Sequence, residues 1–240
     1  MIELPLAFLG PVGDAIELIF NGVESPLGRG EVGGLSEVGE FTLTHIELSA
    51  AAMAAGLLFA VPLGVTLGHR GRGELFAVAA GNAGRAVPEL VLIAFMVAFI
   101  GTGFQVVAIA LMILAIPPIL TNTFVGISQV DRTAVEAARG MGMSEIAIAL
   151  KVELPLAAPT IMTGIRTSAV NVIATATIAP LASVQTLGEF ILSPNVYGDT
   201  AGPVAGAILV ALLAILVELG LAGVQRLVTP KGLKLERAAA

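Results

Sequence analysis

Long apolar runs separated by short polar or glycine-bearing turns organise the chain from about residue 44 onward. Positions 90–130 pass without one Asp, Glu, Lys or Arg, long enough for two bilayer crossings at about 20 residues each. Gly101, Thr102 and Gly103 divide this stretch, since a flexible turn between apolar runs marks a boundary. The pattern predicts helices that span the ~30 Å hydrocarbon core over 44–68, 75–100, 104–124, 155–178 and 204–226. Five crossings put the termini on opposite sides. The expected fold class is therefore all-α, a polytopic membrane helix bundle of about five transmembrane helices with one long cytoplasmic loop.

Composition supports this reading. Only 12% of the 240 residues are charged, where a soluble globular protein carries about 25%, and mean hydropathy is +0.95. The net charge of −6 is uneven: residues 1–47 hold eight acids against Arg29 alone, and the remainder sums to +1. Acidity confined to one segment argues against a nucleic-acid partner. Lys and Arg accumulate in cytoplasmic loops. With the N-terminus outside, the cytoplasmic segments hold Arg70, Arg72, Arg132, Arg139, Lys151, Arg226, Lys231, Lys234 and Arg237, and the outer segments hold only Arg29. The expected division is an acidic extracytoplasmic segment over 1–43, a membrane domain over 44–228 and a basic cytoplasmic tail over 229–240. Residues 1–10 lack a basic n-region, so the first span is expected to serve as the targeting signal. Two readings are open for the acidic segment: a short interfacial helix around Ile16–Phe20, or a solvated lead-in.

Several chemistries are not supported. The chain has no cysteine, and His45 and His69 fit no metal-ligand spacing, so no metal site is expected. No lysine follows a glycine, so the G-x₄-G-K-[ST] phosphate loop is missing. No inverted repeat of the kind that marks secondary carriers is visible. Gly64–Gly68 and Gly202–Gly206 match small-xxx-small spacing, read as close helix packing.

The long cytoplasmic loop covers 126–154. Asp131 is placed to cap a short helix over 132–140, and Gly140 and Gly142 end it. Ser144 begins a second helix over 144–152, with Ile146, Ala149 and Leu150 on one apolar face, before Pro155 opens the next span. Two short helices at a glycine bend form a knob suited to a groove on a soluble partner; the alternative is a plain connection between spans.

These residues carry a resemblance. Glu136-Ala137-Ala138, Gly142 and Val152-Glu153-Leu154-Pro155 resemble the E-A-A-x₃-G-x₉-I-x-L-P signature of binding-protein-dependent ABC importer permeases, with Val152 where Ile is usual. The runs at 136–143, 151–157 and 161–167 are similar to permeases of the glycine betaine, choline and carnitine class, and the likeness extends from about 44 to 227. The resemblance implies that the loop docks on a cytoplasmic ABC ATPase subunit through Glu136, Ala137, Ala138, Gly142, Leu154 and Pro155. It also implies a second permease copy, an extracellular substrate-binding protein and a place in the cell membrane. ATP and Mg belong to the partner ATPase, and no cofactor is expected on this chain, which is not an enzyme. Within that reading, Gly142→Asp is expected to abolish transport without preventing insertion.

Inside the spans, Arg85 lies about 15 Å into its helix, and Glu89 follows after Pro88. A charge at that depth costs at least ~2.5 kcal/mol unless compensated. An Arg85–Glu89 pair would compensate both, either lining a solute path or serving structure alone. Arg166 shares its span with Thr160, Thr163, Thr167 and Asn171, which recur at three- and four-residue spacing on one face. That stripe lines a wet path or joins packed helices, and Glu218 is a candidate partner for Arg166. Quaternary ammonium groups favour aromatic cages, yet the chain has no Trp and one Tyr, Tyr197, so selection is expected to reside in the binding protein. The competing readings are a permease for another small solute, such as an amino acid, and an ATP-independent channel or carrier.

Overall fold

Helices form wherever the sequence runs apolar. The computed structural model describes residues 4–28, 30–75, 77, 79, 81 and 86–230, with side chains from residue 10 onward. Helix α1 (Leu4–Phe20) leads into a minimal hairpin, β1 (Val23–Glu24) antiparallel to β2 (Glu31–Val32). Then come α2 (Gly34–His69), α3 (Glu89–Ile100) and α4 (Phe104–Ser128), followed by α5 (Arg132–Gly140) and α6 (Glu145–Ile148). A π-helical turn (Ala149–Glu153) joins α6 to α7 (Leu154–Thr175), and a 3-10 segment (Ala176–Ala182) extends it. Short helices α8 (Gly188–Leu192) and α9 (Pro194–Tyr197) precede α10 (Ala201–Val228).

Among the described residues four helical stretches are long and apolar enough to cross a membrane: Gly34–His69, Phe104–Ser128, Glu145–Ala182 and Ala201–Val228. The chain is a multi-pass membrane protein. The span expected over 75–100 is not one uninterrupted helix. Its described part bends at Val87 and restarts at Glu89, because Pro88 lacks an N–H and biases the residue before it away from helical geometry. The first span begins ten residues earlier than its apolar pattern suggested. Glu37 explains this: its Oε2 accepts the Gly33 N–H at 2.5 Å, satisfying a backbone donor beside the helix start.

The chain divides into two compact units. The first comprises Met1–Ala51, Glu89–Leu111 and Val172–Leu216. Its acidic N-terminal segment is not a solvated lead-in, because Ala15, Leu18, Ile19, Val38 and Phe41 are buried. Ser25 Oγ donates to Val196 O at 3.0 Å, and the Tyr197 hydroxyl donates to Glu37 Oε1 at 2.6 Å. Phe190 packs at steep ring angles between Phe41 and Tyr197, with centroids at 5.4 and 4.7 Å. The helix read at Ile16–Phe20 thus extends over all of α1. His45 is fully buried, and its Nε2–H donates to Ile173 O at 2.9 Å, where α7 gives way to the 3-10 segment.

The second unit comprises Ala52–Pro88, Met112–Asn171 and Val217–Ala240. Small residues let its helices approach. A Cβ on Gly64 would lie 2.7 Å from Thr123 Cβ, and one on Gly68 would lie 2.8 Å from Ile127 Cβ, so α2 packs against α4 through the glycine pair legible in the sequence. Gly126 meets Ala157 and Thr160, and Gly164 meets Asn122, in the same way between α4 and α7.

Candidate functional site

The loop over 126–154 builds its bend from local hydrogen bonds. Asp131 caps α5 by accepting the Thr133 N–H at 2.8 Å, and Ser144 caps α6 by accepting the Ala147 N–H at 3.3 Å. Between them, Gly142 adopts φ +81, a left-handed conformation that favours glycine. The N–H groups of Met141, Gly142 and Met143 return to the carbonyls of Ala137, Arg139 and Ala138, which closes the end of α5. Arg139 clamps the bend from outside, with its Nε and Nη2 donating to Glu145 Oε1 and Oε2 at 2.8 and 2.9 Å. This bidentate bond, reinforced by the Glu145 charge, raises the Arg139 guanidinium above its ordinary pKa.

The motif residues divide by what they face. Ala138 is buried with Ile127, Val135, Ile148, Ala157 and Ile161 in the unit's own core, so it cannot be a contact for another protein. Glu136, Ala137 and Gly142 are exposed, as are Met141, Ile146 and Leu150. Of the apolar face read on the second helix, Ala149 turns inward beside Ile148 while Ile146 and Leu150 face outward. Leu154 is half-buried and Pro155 exposed.

The second helix also differs in form. It does not stop before Pro155 but continues into α7 through the π turn, in which Leu154 N–H donates to Ala149 O five residues back. A proline cannot donate to the carbonyl four residues earlier and its ring crowds that carbonyl; widening the turn just before it accommodates both effects without ending the helix.

One feature of this region had no sequence pattern to reveal it. His69, the last residue of α2, places Nδ1 2.6 Å from Glu153 Oε2 and Nε2 3.2 Å from Glu145 Oε2. Glu153 is buried at 4% exposure. The end of α2 is thereby tied to both ends of the loop's second helix. Beside this link, a groove of about 700 Å³ runs along Val61, Val65, His69 and Arg70 on one wall and Glu145, Ile146 and Leu150 on the other.

The second candidate site is the polar stripe of α7. Thr163, Arg166, Thr167, Val170 and Asn171 line a pocket of about 460 Å³ with Glu218 of α10. Thr160 does not share it, because its side chain packs on Gly126. Arg166 Nε donates to Glu218 Oε1 at 3.0 Å, and its Nη2 donates to the same oxygen. Arg166 Nη1 donates to Gln225 Oε1 at 2.5 Å, while Gln225 Nε2 donates to Pro159 O at 2.8 Å. Gln225 was missed in the sequence, although it lies seven residues after Glu218 on the same helix face. Arg85 lies outside the described residues, so the proposed Arg85–Glu89 pair has no geometry; Glu89 is exposed at the first position of α3.

Residues 52–231, which hold both the bend and the stripe, match the family described as the binding-protein-dependent transport system inner membrane component. The chain belongs to this family of ABC importer permeases. This permease is 38% identical over 194 residues to the carnitine transport permease protein OpuCB of Listeria monocytogenes, covering 80% of this chain and 88% of that protein. It is 37% identical to the choline transport system permease protein OpuBB of Bacillus subtilis (strain 168), covering 80% of this chain and 89% of the relative. Its fold is similar to a chain of the MetNI methionine ABC transporter in an inward-facing conformation, with TM-score 0.71 and 20% identity, covering 82% of this chain and 98% of that one. As a permease of an ABC importer it functions, in general terms, with an ATPase and a substrate-binding protein.

Proposed function

We propose that this permease is the membrane subunit of an ATP-driven importer of quaternary-ammonium osmoprotectants, the class of carnitine, choline and glycine betaine, received from an extracellular binding protein. The observation that carries the substrate class is its 37–38% identity, over four-fifths of its length, to permeases named for carnitine and choline. The permease sits in the cell membrane with its N-terminus outside, which agrees with nine bases in the cytoplasmic segments against Arg29 outside.

ATP and Mg reside on the partner ATPase, and this chain supplies no nucleotide site. The ATPase docks on the exposed bend, where Glu136, Ala137, Met141, Gly142 and Ile146 present a mixed surface held rigid by the two caps and the Arg139–Glu145 clamp. Burial of Ala138 in the unit's core supports a different role for it, setting the angle of α5 under that surface. A second permease copy completes the translocation path. Thr163, Thr167, Asn171 and the Arg166–Glu218 pair line this permease's share of that path. Support comes from their exposure: polar and charged groups at membrane depth do not face lipid.

Affinity purification of the tagged permease from mild detergent, wild type beside Gly142→Asp, tests the docking. An ATPase subunit accompanies the wild type and is lost from the variant. Uptake of carnitine, choline and glycine betaine into proteoliposomes holding the assembled importer then tests the substrate class, and uptake of none of the three overturns it.

A further inference from the structure

We infer that the Arg166–Glu218 pair is a solute subsite for zwitterions, which opens to place a carboxylate on Arg166 and a cationic group on Glu218. The inference rests on the reading of the α7 stripe as part of the translocation path, and it adds a chemical preference to that path.

The geometry favours an exchangeable pair. Both guanidinium contacts to Glu218 converge on one carboxylate oxygen, Oε1, and among the described residues Glu218 Oε2 accepts no hydrogen bond. The side chains remain 28% and 35% exposed, and both residues line the pocket. Its volume of about 460 Å³ falls in the range of small-molecule sites, roughly 300–1,000 Å³. Gln225 holds the third edge of the guanidinium and is itself anchored on the Pro159 carbonyl. Arg166 therefore keeps its orientation when Glu218 lets go. Thr163, Thr167 and Asn171 supply further polar groups along one wall.

Charge accounting then selects the ligand. A zwitterion inserted between the two residues replaces one ion pair by two and brings no net charge into a weakly screened site. A plain cation such as choline engages Glu218 but offers nothing to Arg166, which is left unpaired at membrane depth, and that is costly. The pair thus discriminates betaine-like solutes from simple quaternary cations, independently of the binding protein.

Saturation-transfer NMR on the permease–ATPase complex in lipid nanodiscs, without binding protein, reads this preference directly. Glycine betaine and carnitine should bind the wild type roughly ten-fold more tightly than choline, the factor expected for losing a charge-assisted hydrogen bond. The neutral double variant Arg166→Gln/Glu218→Gln, which strands no charge, should lose that difference while retaining the ATPase. Should the double variant fail to assemble, Arg166→Lys provides the test: it keeps the cation, loses the fork and should bind glycine betaine several-fold more weakly than wild type. Equal binding of choline and glycine betaine to the wild type overturns the subsite, as does a double variant that keeps the preference or an Arg166→Lys variant that binds as the wild type does. Uptake into proteoliposomes with binding protein separates the two levels: wild-type uptake of glycine betaine alongside any of those results leaves the importer reading standing and removes only the subsite.

Discussion

His69 and Glu153 are 84 residues apart in sequence, yet the imidazole Nδ1 sits 2.6 Å from the buried carboxylate. The contact joins the end of a membrane helix to the position preceding Leu154 and Pro155 of the family signature. Replacing His69 by Ala leaves Glu153 buried without that partner. The expected loss is about 1.5–3 kcal/mol, the range for hydrogen bonds to charged groups. Thermal unfolding of the purified permease should show His69→Ala clearly destabilised and the apolar pair His69→Leu/Glu153→Leu less so, because the pair strands no charge.

Gly142 separates backbone from steric effects. A Cβ there meets nothing within 4 Å, but φ is +81, and the left-handed conformation costs a non-glycine residue about 1–2 kcal/mol. Gly142→Asn should therefore retain most ATP-driven uptake, since Asn tolerates this region, and Gly142→Val should lose most of it. Co-purified ATPase, measured against permease on a gel, should follow the same order.

Two glycines of α2 give a paired test of helix packing. Gly39 has open space around its Cβ direction, while Gly64 faces Thr123 Cβ at 2.7 Å and Leu120 O at 3.1 Å. Gly39→Ala should leave the melting temperature unchanged or raise it, by the helix propensity gained. Gly64→Ala should lower it, by about 1–3 kcal/mol of stability as for other overpacked cores.

Tyr197 is the only tyrosine in a chain without tryptophan, so ultraviolet absorbance reports it alone. Burial, and then its hydrogen bond to Glu37, push its pKa well above the usual value of about 10. The folded state binds this proton more tightly than the unfolded state does. The resulting stability is fully present below pH ~10 and declines as pH rises from there toward the folded pKa. Folded permease at pH ~10.5 should show almost no tyrosinate absorbance, whereas Glu37→Gln should ionise at lower pH.

The membrane helices and the bend were legible because each has a short-range cause. Twenty apolar residues require a span, Asp131 and Ser144 are caps by chemistry, and Gly142 supplies the turn. Ala138 was misassigned because its neighbour Ala137 looks identical in sequence; only the angle at which α5 lies over Ile127 and Ile148 sends one inward and leaves the other exposed. His69 could not be found by spacing, since its partners are brought to it by packing rather than by sequence distance. Arg166–Glu218 was accessible through scarcity: two opposite charges inside spans have few other ways to be compensated. The acids of the N-terminal segment left a solvated lead-in and a short helix both open, and its apolar residues, spaced to bury one side of α1, decide for the helix.

The wide turn over Ala149–Glu153 makes the helix that leaves the bend and the polar stripe parts of a single helix, Glu145–Ala182. From Glu145 to Arg166 this rod measures about 31 Å at 1.5 Å per residue. Torque applied at its Glu145 end meets the splice, where a turn carries an extra residue, before it reaches Arg166. If that turn tightens to ordinary pitch, the tip and the stripe change phase by about 100°, one residue's worth of rotation.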